Sequence, residues 1–280
     1  MCLRAILLLV STNLLCAGRL FGGAPEDSAA SARPSAISRM EADGVLALRA
    51  AGFVLSAPVR WDGNDWLRAA GTGGVTAASA LLDNDVRSVM QRNQSPSGDH
   101  IASFGDAYGL GLNMILLSAG GYLAGLAFDE SWIRETSLLA GTSIIVAGTV
   151  STIMKFSVGR ARPYRNEGHG SFRPFSFSAD DYISFPPGHT IVAFAFSTVL
   201  AERIDNVWAS IGLYSLAGST CFARMYSDNH WISDVVFGAA LSVAVGKSVV
   251  RWFEGHAGGP DGRGLSLVPA GNGIAVVWIL

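Results

Sequence analysis

The chain is poor in charge and in cysteine. Only 15% of its 280 residues are Asp, Glu, Lys or Arg, and 20 basic against 22 acidic side chains leave a net charge of −2. No global positive field is available to neutralise a phosphate backbone, so nucleic acid is excluded as a partner and any anion must be held by a local cluster. The three cysteines are Cys2 and Cys16 near the start and Cys221 far beyond them. They cannot build a disulfide framework and carry no zinc or redox spacing. What the chain has instead is apolar bulk: half of its residues are hydrophobic and the mean hydropathy is +0.35. That is too apolar for a disordered chain and ample for a sizeable core.

The first segment, 1–18, carries Arg4, an apolar run from Ala5 to Val10 and on to Leu15, and the small residues Cys16, Ala17 and Gly18. It reads as an export signal, being short of the ~20 residues of a span, with an N-terminal anchor as the other reading. Residues 19–40, rich in Gly, Ala, Ser and Pro, read as a flexible spacer ahead of a helical domain over 41–255. In the tail, 256–280, Asn272-Gly273 between two apolar runs signals a small β-hairpin, with Pro269 marking an edge strand.

Between these ends the chain is all-α in pattern. Uncharged runs at 109–128 and 136–154 each approach the length of a bilayer span, and further apolar segments lie at 69–82, 190–201, 207–223 and 235–250. They predict a bundle of about six helices. Periodicity alone does not separate spans from buried core helices.

The sparse charges are patterned. Lys155 closes the third of these helices and Arg162-Pro163 follows about two helical turns later, so both cations can face one side. Pro186-Pro187-Gly188-His189 opens the fourth helix, whose unpaired N–H groups make a natural anion seat beside His189. The fifth ends at Arg224, and the sixth begins near His230 with Asp234 at i+4, where its carboxylate is expected to accept a hydrogen bond from the imidazole. In an up-and-down bundle these four helix ends emerge together. Three cations and two imidazoles at one spot call for an anion with several oxygens, and phosphoryl transfer is the chemistry expected.

These blocks resemble the type 2 phosphatidic acid phosphatase superfamily, with its Lys-x6-Arg-Pro, Pro-Ser-Gly-His and Ser-Arg-x5-His-x3-Asp motifs. The first is complete here from Lys155 to Pro163; the second reads Pro186-Pro187-Gly188-His189; the third reads Ala223-Arg224, then His230 and Asp234. The resemblance spans about half the chain, with its motif core at 109–250. It implies a phosphatase in which His230 forms a phosphohistidine, Asp234 orients it and His189 protonates the leaving oxygen. Lys155, Arg162, Arg224 and the Gly188 N–H would hold the phosphoryl oxygens. The scheme needs no cofactor and no metal, because fixed cations neutralise the transition state. Two departures stand out: Pro187 replaces a Ser, removing a hydroxyl and a backbone N–H, and Ala223 replaces another.

The substrate class implied is a phosphorylated lipid, such as phosphatidic acid or an isoprenoid diphosphate, with membrane association. Counting sides, the site faces the periplasm or exterior of a bacterial-type envelope, provided the segment 69–82 does not span. A soluble periplasmic acid phosphatase, a vanadium-dependent haloperoxidase and a family relic weakened by Pro187 are the alternatives. Outside the blocks, His100, His169 and His256 read as structural or solvated, and Arg160, Arg165 and Arg173 as a solvated loop. Tyr226 and Trp231 read as packing residues.

Overall fold

In the computed structural model the described residues are 35–175, 180–257 and the strands 264–270 and 273–279; the expected signal and most of the expected spacer lie outside them. Nine α-helices occur among the described residues: α1 Ala36–Leu55, α2 Gly63–Ala80, α3 Asp83–Arg92, α4 Pro96–Gly109, α5 Gly111–Ala127, α6 Ser131–Val158, α7 Gly188–Ile204, α8 Val207–Tyr226 and α9 Ile232–Ala257. The protein is all-α, as its pattern indicates. After α9, Gly264–Ala270 and Gly273–Ile279 pair antiparallel, with Pro269 opposite Ile274.

The helix count exceeds six because polar punctuation cuts the chain more often than the apolar runs reveal. α1 opens at Ala36, inside the stretch read as spacer. The 69–82 run belongs to the longer α2, whose start at Asp62 is a capping box with Asp65. The uncharged run at 109–128 is α5, set at 52° to α4 across Leu110.

Helix α7 is central. It packs against α6, α8 and α9, whereas α8 and α9, though consecutive, scarcely meet. Its buried residues, among them Ile191, Ala193, Ala195, Phe196, Val199 and Ala201, point in every direction. That all-round apolar surface marks an inner helix. On α9 the residues facing it are small and one helical turn apart: Gly238 lies on Pro187 and Gly246 on Thr198, with Ser242 fully buried between them. Such a stripe lets two helix backbones approach closely. The core continues through Leu139, Ile144 and Val146 of α6 and Val249, Val250 and Phe253 of α9.

Helices α4 and α8 are equally close. A Cβ built on Gly105 would stand 2.2 Å from the Ser219 carbonyl oxygen, and one on Gly109 would stand 2.4 Å from Thr220 and 2.9 Å from the His189 Cβ. The approach thus carries the end of α4 to the start of α7.

Among the described residues two helices, α6 and α9, are long and apolar enough to cross a membrane, and a third span results if the bent α4–α5 pair is taken as one. The outward faces fit: Leu112, Leu116, Leu117 and Leu123 on α5 and Ile145 and Ile153 on α6 are all exposed. At the end of the bundle that carries the start of α6, Asp43 of α1 is buried, accepting from Tyr122 at 2.8 Å and pairing with Arg134 at 3.2 Å.

The α4–α8 contact makes a direct prediction. Gly105→Ala forces a methyl group onto a backbone carbonyl and should cost about 1–3 kcal/mol. It is read as a lowered melting temperature of the detergent-solubilised protein, while Gly120→Ala, on an open face of α5, should leave it unchanged or raise it, because alanine favours a helix interior over glycine.

Candidate active site

Helix α6 must stop sharply after Lys155, and Gly159 stops it. Its φ of +59° is left-handed, its N–H donates to the Lys155 carbonyl, and a Cβ there would lie 1.8 Å from the Arg173 carbonyl oxygen. Only glycine fits such a close approach in that conformation. The chain then runs through Arg160 and Arg162 to Pro163 and returns by Ser184 to the start of α7 at Gly188.

The four helix ends expected to meet do so: the ends of α6 and α8 and the starts of α7 and α9. Lys155 donates from Nζ to the Ile183 carbonyl at 3.0 Å, Arg162 to Asn229 Oδ1 at 3.1 Å, and Arg224 to Asp106 Oδ1 at 2.6 Å. His189 is half-buried and His230 is 5% exposed. Burial lowers the pKa of both imidazoles, and Lys155, Arg162 and Arg224 lower both further. All three cations therefore act on both histidines. Asp106 opposes this at His189. Both rings therefore favour the neutral form.

The orientation of His230 differs from the expectation. Its Nδ1 lies 2.6 Å from the Ser184 carbonyl oxygen. A carbonyl only accepts, so Nδ1 carries the proton and the Nε2 lone pair is left for chemistry. Asp234, expected to take that hydrogen bond, spends its oxygens elsewhere. Oδ2 accepts from Ser184 Oγ at 2.6 Å and from the Trp231 N–H at 3.0 Å, and Oδ1 pairs with Arg160. The physical reason is the helix start: Asp234 lies in the first turn of α9, where unpaired N–H groups draw a carboxylate inward. Asp234 reaches His230 through Ser184.

Arg160 is the second correction. Read as part of a solvated loop, it is 5% exposed. Its Nε and one NH2 proton go to the His169 carbonyl at 2.9 and 2.8 Å, its other NH2 proton to Asp83 at 2.6 Å, and its NH1 to Ser233 at 2.8 Å and to Asp234. Asp83 is 1% exposed and accepts from both the N–H and the hydroxyl of Ser233, at 3.0 and 2.9 Å. It caps α9 from another helix. Arg165 and Arg173 are exposed, as expected of a solvated loop; so are His100 and His256, while His169 is half-buried. Trp231 and Tyr226 are packed, the former donating to the Ala161 carbonyl at 2.9 Å.

Sequence reasoning missed Asp83, Ser184 and Asp106. The one signal for Asp83 was a carboxylate set between apolar helices, which if buried needs a partner. Ser184 and Asp106 carry no local signal, because their partners are 50 and 118 residues away. Pro187, at the N-cap of α7, makes no side-chain cap, and its ring lies against Gly238. Gly188 has open space where a Cβ would stand. Among the described residues no three His, Cys, Asp or Glu side chains group as a metal site.

A family model described as the PAP2 superfamily matches residues 136–257, which is α6 to α9 with the whole cation and histidine cluster. This segment belongs to the PAP2 superfamily.

Among curated proteins, a lipid A 1-phosphatase of Porphyromonas gingivalis is 38% identical over 80 residues, 28% of this chain and 17% of the relative. One of Rhizobium etli is 29% identical over 158 residues, 51% of this chain and 65% of the relative. The chain thus spans less than two thirds of either relative's length. Among solved structures, Aquifex aeolicus LpxE is similar at 20% identity and TM-score 0.45, over 61% of this chain and 95% of that one. The transmembrane PAP2-type phosphatidylglycerolphosphate phosphatase of Bacillus subtilis is similar at 16% identity and TM-score 0.47, over 79% and 96%.

The depressed histidines set a pH dependence. Above about pH 6.5 both rings are neutral folded or unfolded; below it the unfolded chain takes up protons that the folded site refuses. Stability should therefore fall as pH drops through the range between 6.5 and the lowered values. Melting temperatures at pH 7.5 and 5.5 should show the loss, and a His189→Gln, His230→Gln double variant should show less of it.

Proposed function

We propose that the chain is a metal-independent phosphatase that hydrolyses a phosphomonoester or diphosphate of a lipid through a phosphohistidine at His230. The observation that carries this reading is the action of Lys155, Arg162 and Arg224 on two imidazoles, one of which has its Nδ1–H bound and its Nε2 lone pair free.

In the first step the His230 Nε2 lone pair attacks phosphorus, the bond from phosphorus to the lipid oxygen breaks, and His189 gives its proton to that oxygen. In the second, His189 takes a proton from water as the water oxygen attacks phosphorus, and the bond to Nε2 breaks to release phosphate. Arg162 and Arg224 offer fork-shaped donors and Lys155 a point charge, joined by the Gly188 N–H at the start of α7. His189 must be protonated to act first as an acid, yet the cations favour its neutral form. A bound phosphoryl dianion offsets those three charges and raises the proton affinity of His189, so the substrate itself makes the acid. Asp234 supports His230 by way of Ser184.

A lipid substrate is favoured by the name shared by the two curated relatives, which puts lipid A phosphates first among those to test, and by the exposed apolar faces of α5 and α6. On this reading the helices lie in the membrane of a bacterial envelope with the site toward the periplasm, and residues 41–255 are the catalytic domain.

The test compares phosphate release by wild type and His230→Ala from lipid A, phosphatidic acid, undecaprenyl diphosphate and an aryl phosphate, with and without EDTA. Release should survive chelation, favour a lipid, and fall roughly 10³-fold or more in the variant. Release that persists in His230→Ala rejects the covalent mechanism; none from the wild type favours a relic weakened at Pro187.

A further inference from the structure

Asp83 lies on α3, outside residues 136–257. Its side chain is fully buried, and no part of the phosphatase motifs accounts for it. Burying a carboxylate is costly unless it is paired, and Asp83 is paired twice: with the Arg160 guanidinium at 2.6 Å and with the backbone and hydroxyl of Ser233 at the start of α9. The same guanidinium holds Asp234, Asp234 accepts from the Ser184 hydroxyl, and the Ser184 carbonyl holds the His230 Nδ1–H. A second tie from α3 reinforces the first. Arg87 makes a two-pronged pair with Asp228, 2.7 Å at each prong, just before His230.

We propose that Asp83 is a positioning residue for the nucleophile: through Arg160, Asp234 and Ser184 it fixes the ring and tautomer of His230. This rests on the phosphatase reading above. If the Asp83 charge is removed, the guanidinium is left with Asp234 as its one carboxylate and draws it from Ser184; the Ser184 hydroxyl then loses its acceptor. The carbonyl that selects the His230 tautomer belongs to that residue. The cations proposed to hold phosphate take other partners: Lys155, Arg162 and Arg224 donate to Ile183, Asn229 and Asp106. Loss of Asp83 should therefore act on turnover and leave substrate binding alone.

The experiment is Asp83→Asn, with Asp83→Glu as the charge-restoring variant, assayed on an aryl phosphate and on phosphatidic acid in detergent micelles. kcat should fall by about 10–100-fold, with KM within threefold of wild type and partial recovery in Asp83→Glu. Histidine 15N NMR of the intact protein reads the tautomer without turnover. Wild type should show His230 protonated at Nδ1, and Asp83→Asn a mixture. An unchanged kcat with an unchanged His230 spectrum overturns the proposal, as does a loss confined to KM. Should Asp83→Asn fail to fold, Ser184→Ala cuts the same chain at its last hydroxyl, and full kcat in that variant overturns the proposal equally. Turnover that survives in His230→Ala, or is missing from the wild type, counts against the phosphatase mechanism, while the NMR comparison still decides the role of Asp83.

Discussion

A buried guanidinium between two buried carboxylates organises this end of the molecule. Arg160 joins Asp83 of α3 to Asp234 of α9, and it sits on a loop that descends from α6. All three side chains are almost wholly withdrawn from water. Removing one partner from such a cluster leaves an uncompensated charge and typically costs about 3–5 kcal/mol, whereas the complete cluster has all its donors and acceptors matched. Five N–H donors in a rigid fork suit this task, and lysine could not reproduce it. The start of α9, and with it His230, is held from three sides.

That polar cluster works because the helices around it come unusually close. Gly238, Ser242 and Gly246 set α9 against α7, and Gly105 and Gly109 set α4 against α8 and the start of α7. With so little side-chain volume between backbones, the ends of the helices are placed by packing, and packed interiors resist small displacements. Gly159 supplies the one sharp break that ends α6 and releases Arg160 toward the interior. Packing positions the backbone, and the ion cluster then selects which atom of each side chain faces the site.

What was legible in the sequence follows from this division. The helical class and the meeting of Lys155, Arg162, His189, Arg224 and His230 could be read, because each sits at a helix end in an up-and-down order and the apolar runs mark those ends. Nine helices among the described residues, in place of six, were not legible, since α3 is short and polar and α4 and α5 are separated by a bend at Leu110 with no charge to mark it. Arg160 was misread for a plain reason. Three arginines, 160, 165 and 173, flank one polar loop, and the distant carboxylates Asp83 and Asp234 distinguish the buried one from its exposed neighbours. The i, i+4 spacing of His230 and Asp234 suggested direct contact, but such spacing guarantees a shared face only when both residues are helical. His230 precedes α9, so its side chain is aimed by the Ser184 carbonyl.

On the phosphatase reading, the electrostatics of the site suit a bound anion. Lys155, Arg162 and Arg224 bring three positive charges to two histidines that are already disfavoured from protonation by burial, and Asp106 offers partial relief on one side. Two of the three cations rest on neutral acceptors, the Ile183 carbonyl and the Asn229 amide oxygen. Such contacts hold the geometry of the two side chains. On the phosphatase reading, cations fixed in this way offer a field that a multiply charged oxyanion completes, which is how preorganised donors lower a barrier without reorganising during the reaction. Arg160, saturated by two buried carboxylates, and Arg162, which donates to the Asn229 amide oxygen, stand two residues apart on one loop, so a single turn of chain serves both the ion cluster and the face that carries the two histidines.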